Sequence, residues 1–261
     1  MPGTHILAID QGTTSTRAVV YDQAGRSTGS AAQELTQHYP RPGWVEHDAE
    51  EIWQSVAAVV PKALEAASVK PRDLAAIGLT NQRETNVLWE RAGGKPVARA
   101  LVWQDRRTAD FCREHKSDEP WITKRTGLVL DPYFSATKLH WLLEQAPELR
   151  NRASAGQLAW GTIDSFLIWR LTGGRVHATD VTNASRTLLL NLATVAWDDE
   201  MCRYFGVPRS LLADVRPSAA DYGTTFGLGF LPDGLPIAGM AGDQQAALFG
   251  QRAFAPPRQS A

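Results

Sequence analysis

The chain has 261 residues, 43% hydrophobic and 21% charged, with 21 Gly and 15 Pro, which excludes disordered and fibrous classes and allows one large domain or two modest ones. Lys plus Arg number 27 against 28 Asp plus Glu, a net charge of -1, so no broad field exists for a nucleic-acid backbone and nucleic acid is not an expected partner. The two cysteines, Cys112 and Cys202, cannot form a dense disulfide framework, and nothing near Cys112 and His115 completes a metal set.

In chain order, Met1-Pro2-Gly3-Thr4-His5 lacks the basic stretch and apolar core of a signal segment. No uncharged apolar run approaches the ~20 residues that cross a bilayer, and the richest, 188–197, is broken by Asn191. A soluble cytoplasmic protein without membrane contact is the expectation. Apolar runs at 6–9 and 18–21, with turn residues at 22–25, predict two or three antiparallel strands over the first forty residues. Asp48 and Glu51 have capping-box spacing, and Ile52, Val56, Val59, Val60, Ala63 and Leu64 form one apolar stripe of a helix that Pro61 should bend or shorten. Strands are expected at 74–79, 87–89 and 100–103, helices at 135–145, 163–171 and 199–205. A last strand at 236–240 runs through Gly242-Asp243 into a helix at 244–249. Strands mixed with helices indicate an α/β layered domain. There is no internal repeat, and 255–261 reads as a frayed tail.

Polar clusters follow several of these strands. In Asp10-Gln11-Gly12-Thr13-Thr14-Ser15-Thr16-Arg17, Gly12 permits a turn with positive φ. The amides and hydroxyls of Thr13, Thr14 and Ser15 then converge on a phosphate, unless the segment is an ordinary hairpin. Asp10 is placed to hold Mg2+. Walker-A and Rossmann spacings are absent. In Asn81-Gln82-Arg83-Glu84-Thr85, Arg83 offers a donor fork and Glu84 an acceptor pair suited to neighbouring polyol hydroxyls; the alternative is an adjacent ion pair on a solvated loop. Trp103 packs against the carbon face of a polyol or belongs to the core. Tyr133 either points its hydroxyl into a cleft or is structural. Asp243, at a strand-to-helix junction, is a general base or a helix cap.

Taken together, these segments resemble the glycerol kinases of the FGGY carbohydrate kinase family, within the actin-like ATPase superfamily. The matching stretches are Asp10-Gln-Gly-Thr-Thr-Ser-Thr-Arg17, Asn81-Gln-Arg-Glu-Thr85, Trp103-Gln-Asp-Arg-Arg-Thr108 and Gly242-Asp-Gln-Gln-Ala-Ala-Leu-Phe-Gly250. Tyr133-x-Ser135-x-x-Lys138-Leu139-x-Trp141-Leu142-x-Glu144-Gln145 is similar to the family's kinase signature. The resemblance implies an α/β ribonuclease-H-like lobe with a mixed β-sheet flanked by helices. It makes 1–251 the N-terminal, glycerol-binding domain and 252–261 a divergent tail. Set against that family, the chain is expected to lack the second lobe, as in a truncated or frameshifted reading. The loop Gly227-Leu-Gly-Phe-Leu-Pro-Asp-Gly-Leu235 lacks the arginine of sugar-bisphosphate-regulated members, so that regulation is not expected.

By resemblance, the activity is ATP-dependent phosphorylation of glycerol to glycerol 3-phosphate, with ATP and Mg2+ as cofactors and glycerol and ATP/ADP as partners. Arg83, Glu84, Trp103, Tyr133, Asp243 and Gln244 would contact glycerol, with Asp243 accepting the proton of the attacking hydroxyl. Thr13, Thr14, Ser15 and Arg17 would face the ATP phosphates, and Asp10 would position Mg2+. The alternative is a catalytically inactive fragment that only binds ligand or a partner. An actin-like or chaperone ATPase shares the phosphate turn but leaves Arg83, Glu84, Trp103 and Asp243 unexplained. The chain alone is expected to fold, to show no glycerol phosphorylation, and to self-associate or form a homo-oligomer through an uncovered apolar face.

Overall fold

A computed structural model describes residues 3–254; the tail expected at 255–261 lies outside the described residues. Strand β1 (His5–Gln11) alternates as a half-buried strand should, with Leu7, Ile9 and Gln11 inward and Ile6 and Asp10 outward. It pairs antiparallel with β2 (Ser15–Tyr21), which pairs antiparallel with β3 (Ser27–Glu34). Strand β4 (Leu74–Asn81) then joins β1 in parallel, and β5 (Ile237–Gly242) joins β4 in parallel. The order is β5-β4-β1-β2-β3, the mixed sheet expected. Its register sets Gln11, Asn81 and Gly242 side by side, so three strands deliver their C-terminal ends to one edge, where α/β folds place ligands.

Helix α1 (Ala49–Ala67) makes the crossover to β4. Its predicted stripe is buried, with Ile52, Val56, Val59, Val60, Ala63 and Leu64 packed on Leu7, Ile9, Ala18 and Val20. Each buried Val, Leu or Ile contributes roughly 1.5–3 kcal/mol. Pro61 neither ends nor shortens α1, which runs unbroken through it; it sits on the exposed side, with buried Val59, Val60, Ala63 and Leu64 flanking it. Only half the capping box forms. Asp48 accepts from the Glu50 amide, while Glu51 approaches His38 at 4.0 Å.

Helix α3 (Ile163–Leu171) shares that core, which takes in Trp89 and Ile237. A second core joins helix α2 (Ser135–Gln145) to the Val87–Glu90 and Leu158–Gly161 ladder and the Asp199–Tyr204 helix, through Leu88, Leu139, Leu143, Trp160, Met201 and Phe205. The strand expected at 100–103 shrinks to Ala100–Leu101, because only these residues pair, with Glu46–His47. On the far face of the sheet Ile6 is 48% exposed. Among the described residues, no helix is long and apolar enough to cross a membrane.

Candidate active site

The turn after β1 is closed by the Gly12 amide donating to the Ser15 carbonyl at 2.9 Å. It is a hairpin, as the alternative reading had it, and one built on buried amides. Gln82 Nε2 donates to Gln11 Oε1 and to the Gly12 carbonyl, each at 3.1 Å, and the Gln82 amide donates to the Gln11 carbonyl at 2.7 Å. Gly12 is not among the residues with positive φ, contrary to expectation. What its position demands is space, since a Cβ there would lie 3.2 Å from the Ser15 carbonyl oxygen. Asp10 faces Arg17 across the hairpin. Burial, then the Asp243 carboxylate, push the Asp10 carboxyl up, and Arg17 pulls it down.

At the end of β4, Asn81 and Asn183 exchange side-chain amide bonds of 3.0 and 3.1 Å. This pins the strand end to the short helix Val181–Ala184. Arg83 and Glu84 do not pair with each other. The guanidinium of Arg83, 4% exposed, lies 3.3 Å from Asp243 and donates to Gln245 Oε1 at 3.2 Å. It passes so close to β5 that a Cβ on Gly242 would sit 2.4 Å from its Cδ. Glu84 takes a left-handed φ of 60°, a conformation a side-chain-bearing residue keeps only when its surroundings fix it. Ser135 Oγ donates to its carbonyl at 3.0 Å, and Arg186 Nε donates to its Oε1 at 2.7 Å.

Trp103 and Tyr133 meet with ring centroids 5.4 Å apart. Trp103 Nε1 donates to Thr13 Oγ1 at 2.9 Å, joining this aromatic wall to the phosphate turn. Tyr133 is held from beneath. Lys138, fully buried, donates to the carbonyls of Pro132, Tyr133 and Phe134 at 2.7, 2.8 and 2.9 Å. Burial pushes its amine down to about 7, yet three acceptors call for three N–H donors, which only the ammonium has. Asp243 opens helix α4 (Asp243–Gly250), is 47% exposed, and accepts from the Gln244 amide at 2.7 Å. Gln244 is exposed, and Gln245 is the glutamine that reaches Arg83.

Arg83, Glu84, Trp103, Tyr133 and Asp243 thus converge on one open shelf, with Asp10 and Thr13 at its border. Sequence reasoning missed Arg186, Asn183 and Gln245. Arg186 and Asn183 belong to Thr182-Asn183-Ala184-Ser185-Arg186-Thr187, whose spacing marks no chemistry. Among the described residues, no group of three or more His, Cys, Asp and Glu could hold a metal ion, so a cation here would rest on Asp10 and ligands from outside the chain. The shelf offers donors and acceptors for adjacent hydroxyls, an aromatic face for their carbons, a half-exposed carboxylate beside Arg83, and an amide-rich turn for an anion.

Residues 5–250 match the N-terminal domain of the FGGY family of carbohydrate kinases. The chain is 57% identical over 254 residues to the glycerol kinase of Alcanivorax borkumensis, covering 97% of this chain and 51% of that protein. It is 56% identical to the glycerol kinase of Deinococcus radiodurans over 95% of this chain and 49% of that one. The crystal structure of Plasmodium falciparum glycerol kinase with ADP superposes with a TM-score of 0.91 at 35% identity, over 97% of this chain and 51% of that one. The chain spans about half the length of the relatives it matches.

Proposed function

Because the chain belongs to the FGGY family of carbohydrate kinases, we propose that it supplies the glycerol-binding and phosphate-binding half of an ATP-dependent glycerol kinase. The observation that carries the reading is the convergence at one sheet edge of Arg83, Glu84 and Asp243 beside the Trp103–Tyr133 pair, which a nucleotide-only ATPase does not need. Trp103 and Tyr133 take the carbon face of glycerol. Arg83 donates to its hydroxyls and Glu84 accepts from one. Asp243, exposed and beside Arg83, accepts the proton of the terminal hydroxyl as that oxygen attacks. Thr13, Thr14 and Ser15 donate to the ATP phosphates. Arg17 meets the charge that develops on the transferred phosphoryl group.

Mg2+ fits this edge in one respect: Asp10 is a hard oxygen ligand under repulsion from Asp243, which a cation relieves. One carboxylate suffices when water and phosphate oxygens complete the octahedron. When bound, the ion neutralises phosphate charge.

The test is a glycerol titration of the 261-residue chain labelled with 5-fluorotryptophan, followed by 19F NMR, with the Trp103 line assigned by Trp103→Phe. Saturable movement of that line with glycerol, absent with xylulose, ribulose or gluconate and lost in Arg83→Ala, is expected. A site that bonds chosen hydroxyls rejects ligands leaving its buried groups unpaired. Equal response to any of those sugars, or none to glycerol, refutes the reading.

A further inference from the structure

Arg186 lies outside every segment that the resemblance assigned to the site, yet it touches the site's centre. It follows the short helix Val181–Ala184 that Asn183 ties to β4. From there its guanidinium reaches back 102 positions in sequence, donating to Glu84 Oε1 at 2.7 Å. It lies 4.8 Å from the Phe134 ring centroid and 5.7 Å from that of Tyr133. The Glu84 side chain is 2% exposed and that of Arg186 is 26% exposed, so the pair runs from the interior to the rim of the shelf. Among the described residues, no side chain or amide donates to Glu84 Oε2. We infer that Arg186 is a positioning residue of the polyol site, pinning Oε1 of Glu84 so that Oε2 is left to accept a polyol hydroxyl. This rests on the glycerol-binding reading proposed above.

The electrostatics support the geometry. Four groups face Glu84: Arg83 before it, Arg186, Lys138 from α2, and Tyr133 from the loop ahead of α2. Burial pushes the Glu84 carboxyl above its ordinary value, and the Arg186 hydrogen bond, followed by the charges of Arg83, Arg186 and Lys138, offsets part of that rise. Arg83 is turned towards Asp243 and Gln245, and Lys138 has all three N–H groups on carbonyls. Among the described residues, Arg186 is therefore the one cation bonded to this carboxylate. Without it the carboxyl rises; a protonated Glu84 puts an O–H where the polyol needs an acceptor, and its freed rotamer no longer aims Oε2.

The test uses the full 261-residue chain and its Arg186→Met and Arg186→Lys variants. The first readout needs no ligand: the 13C carboxyl titration of Glu84, assigned by loss of its signal in Glu84→Gln. Its midpoint should rise in Arg186→Met, with Arg186→Lys in between. The second readout is the glycerol affinity from about pH 5 to about pH 8. A raised Glu84 loses its charge as pH falls through the new midpoint. Arg186→Met should therefore lose more glycerol affinity than wild type on going from the alkaline to the acid end, up to about tenfold for each pH unit by which the midpoint has risen. Wild type, whose Glu84 carboxyl is itself raised by burial, should lose less affinity at the acid end, and Arg186→Lys an intermediate amount. An unmoved Glu84 midpoint overturns the inference. So does an affinity that falls by the same factor at every pH, which marks a direct contact or a general loss of structure. Should Arg186→Met fail to fold, Arg186→Lys decides by the same two criteria. A wild-type chain that binds no glycerol while Glu84 still responds to Arg186 refutes the glycerol reading and leaves only a structural ion pair. Wild-type binding with an unchanged profile in the variants refutes the inference alone.

Discussion

The Asn81–Asn183 pair lends itself to a double-mutant cycle. Both residues are fully buried and joined by two reciprocal amide bonds. Each amide has one further partner: Asn81 Nδ2 donates to the Gln82 carbonyl at 2.7 Å and Asn183 Nδ2 to Asp180 Oδ1 at 2.8 Å. Asn183→Ala thus removes both shared bonds, at about 1 kcal/mol each, and leaves Asn81 Oδ1 without a donor. A buried unpaired acceptor costs about 1–3 kcal/mol. With the bond to its further partner also lost, at about 1 kcal/mol, a total near 4 kcal/mol follows for this variant, and by the same reasoning for Asn81→Ala. In the double variant both further bonds are lost, the shared bonds are lost only once and no orphan remains, so its cost should be about 4 kcal/mol rather than about 8. The coupling is then about -4 kcal/mol. Urea unfolding followed by circular dichroism gives all four corners, with m unchanged. Each single variant should melt about 8–16 °C lower, at roughly 2–4 °C per kcal/mol for a domain of this size. A single variant costing under about 1 kcal/mol, or costs that add within about 0.5 kcal/mol, refutes the account of how the strand end is anchored.

Other perturbations bear on the same edge. Asp243→Asn removes a carboxylate that raises Asp10, so the Asp10 carboxyl should titrate at lower pH in the variant; a 13C titration that does not move disproves their proximity. Trp103→Phe keeps the ring but deletes the indole N–H on Thr13. Hydrogen exchange should quicken at Thr13, Thr14 and Ser15 and not in α1, and unchanged protection would show that the bond does not hold the turn. Burial, then the Asp180 carboxylate, push the Asp164 carboxyl from 3.8 up to about 7. A raised group contributes stability that is fully present below the lower value and lost as pH rises through the upper one. Asp164→Asn lacks that loss, so its stability relative to wild type should climb by about 3–4 kcal/mol between pH 4 and pH 7; a difference flat in pH, from melts at matched pH, contradicts this.

What was legible in the sequence was local. The α1 stripe could be read because helical spacing puts Ile52, Val56, Val59 and Val60 on one face, and β1 and β2 because apolar runs end in turn residues. Pro61 misled because the cost of a lost N–H on the exposed side is visible in sequence, while the burial that offsets it is not. Short pairings such as Ala178–Asp180 with Asp214–Arg216 have three residues a side, too few for a period to register. In the site, residue types at strand ends pointed to the right chemistry, but the partners did not follow from adjacency. Arg83 goes to Asp243 and Glu84 to Arg186, each across more than a hundred residues, and only the folded sheet edge brings them together.

The lysine beneath Tyr133 has one more consequence. An amine pushed down to about 7 would be the most reactive lysine of the chain if reagents could reach it. Lys138 has no exposed surface, and its nitrogen faces three carbonyls. Acylating reagents should therefore spare it in the closed state and label it only when the 131–134 loop lifts away. The labelling rate of Lys138 against that of exposed Lys62 is thus a clock for the opening of this wall. Any ligand that settles on Tyr133 from above should slow it.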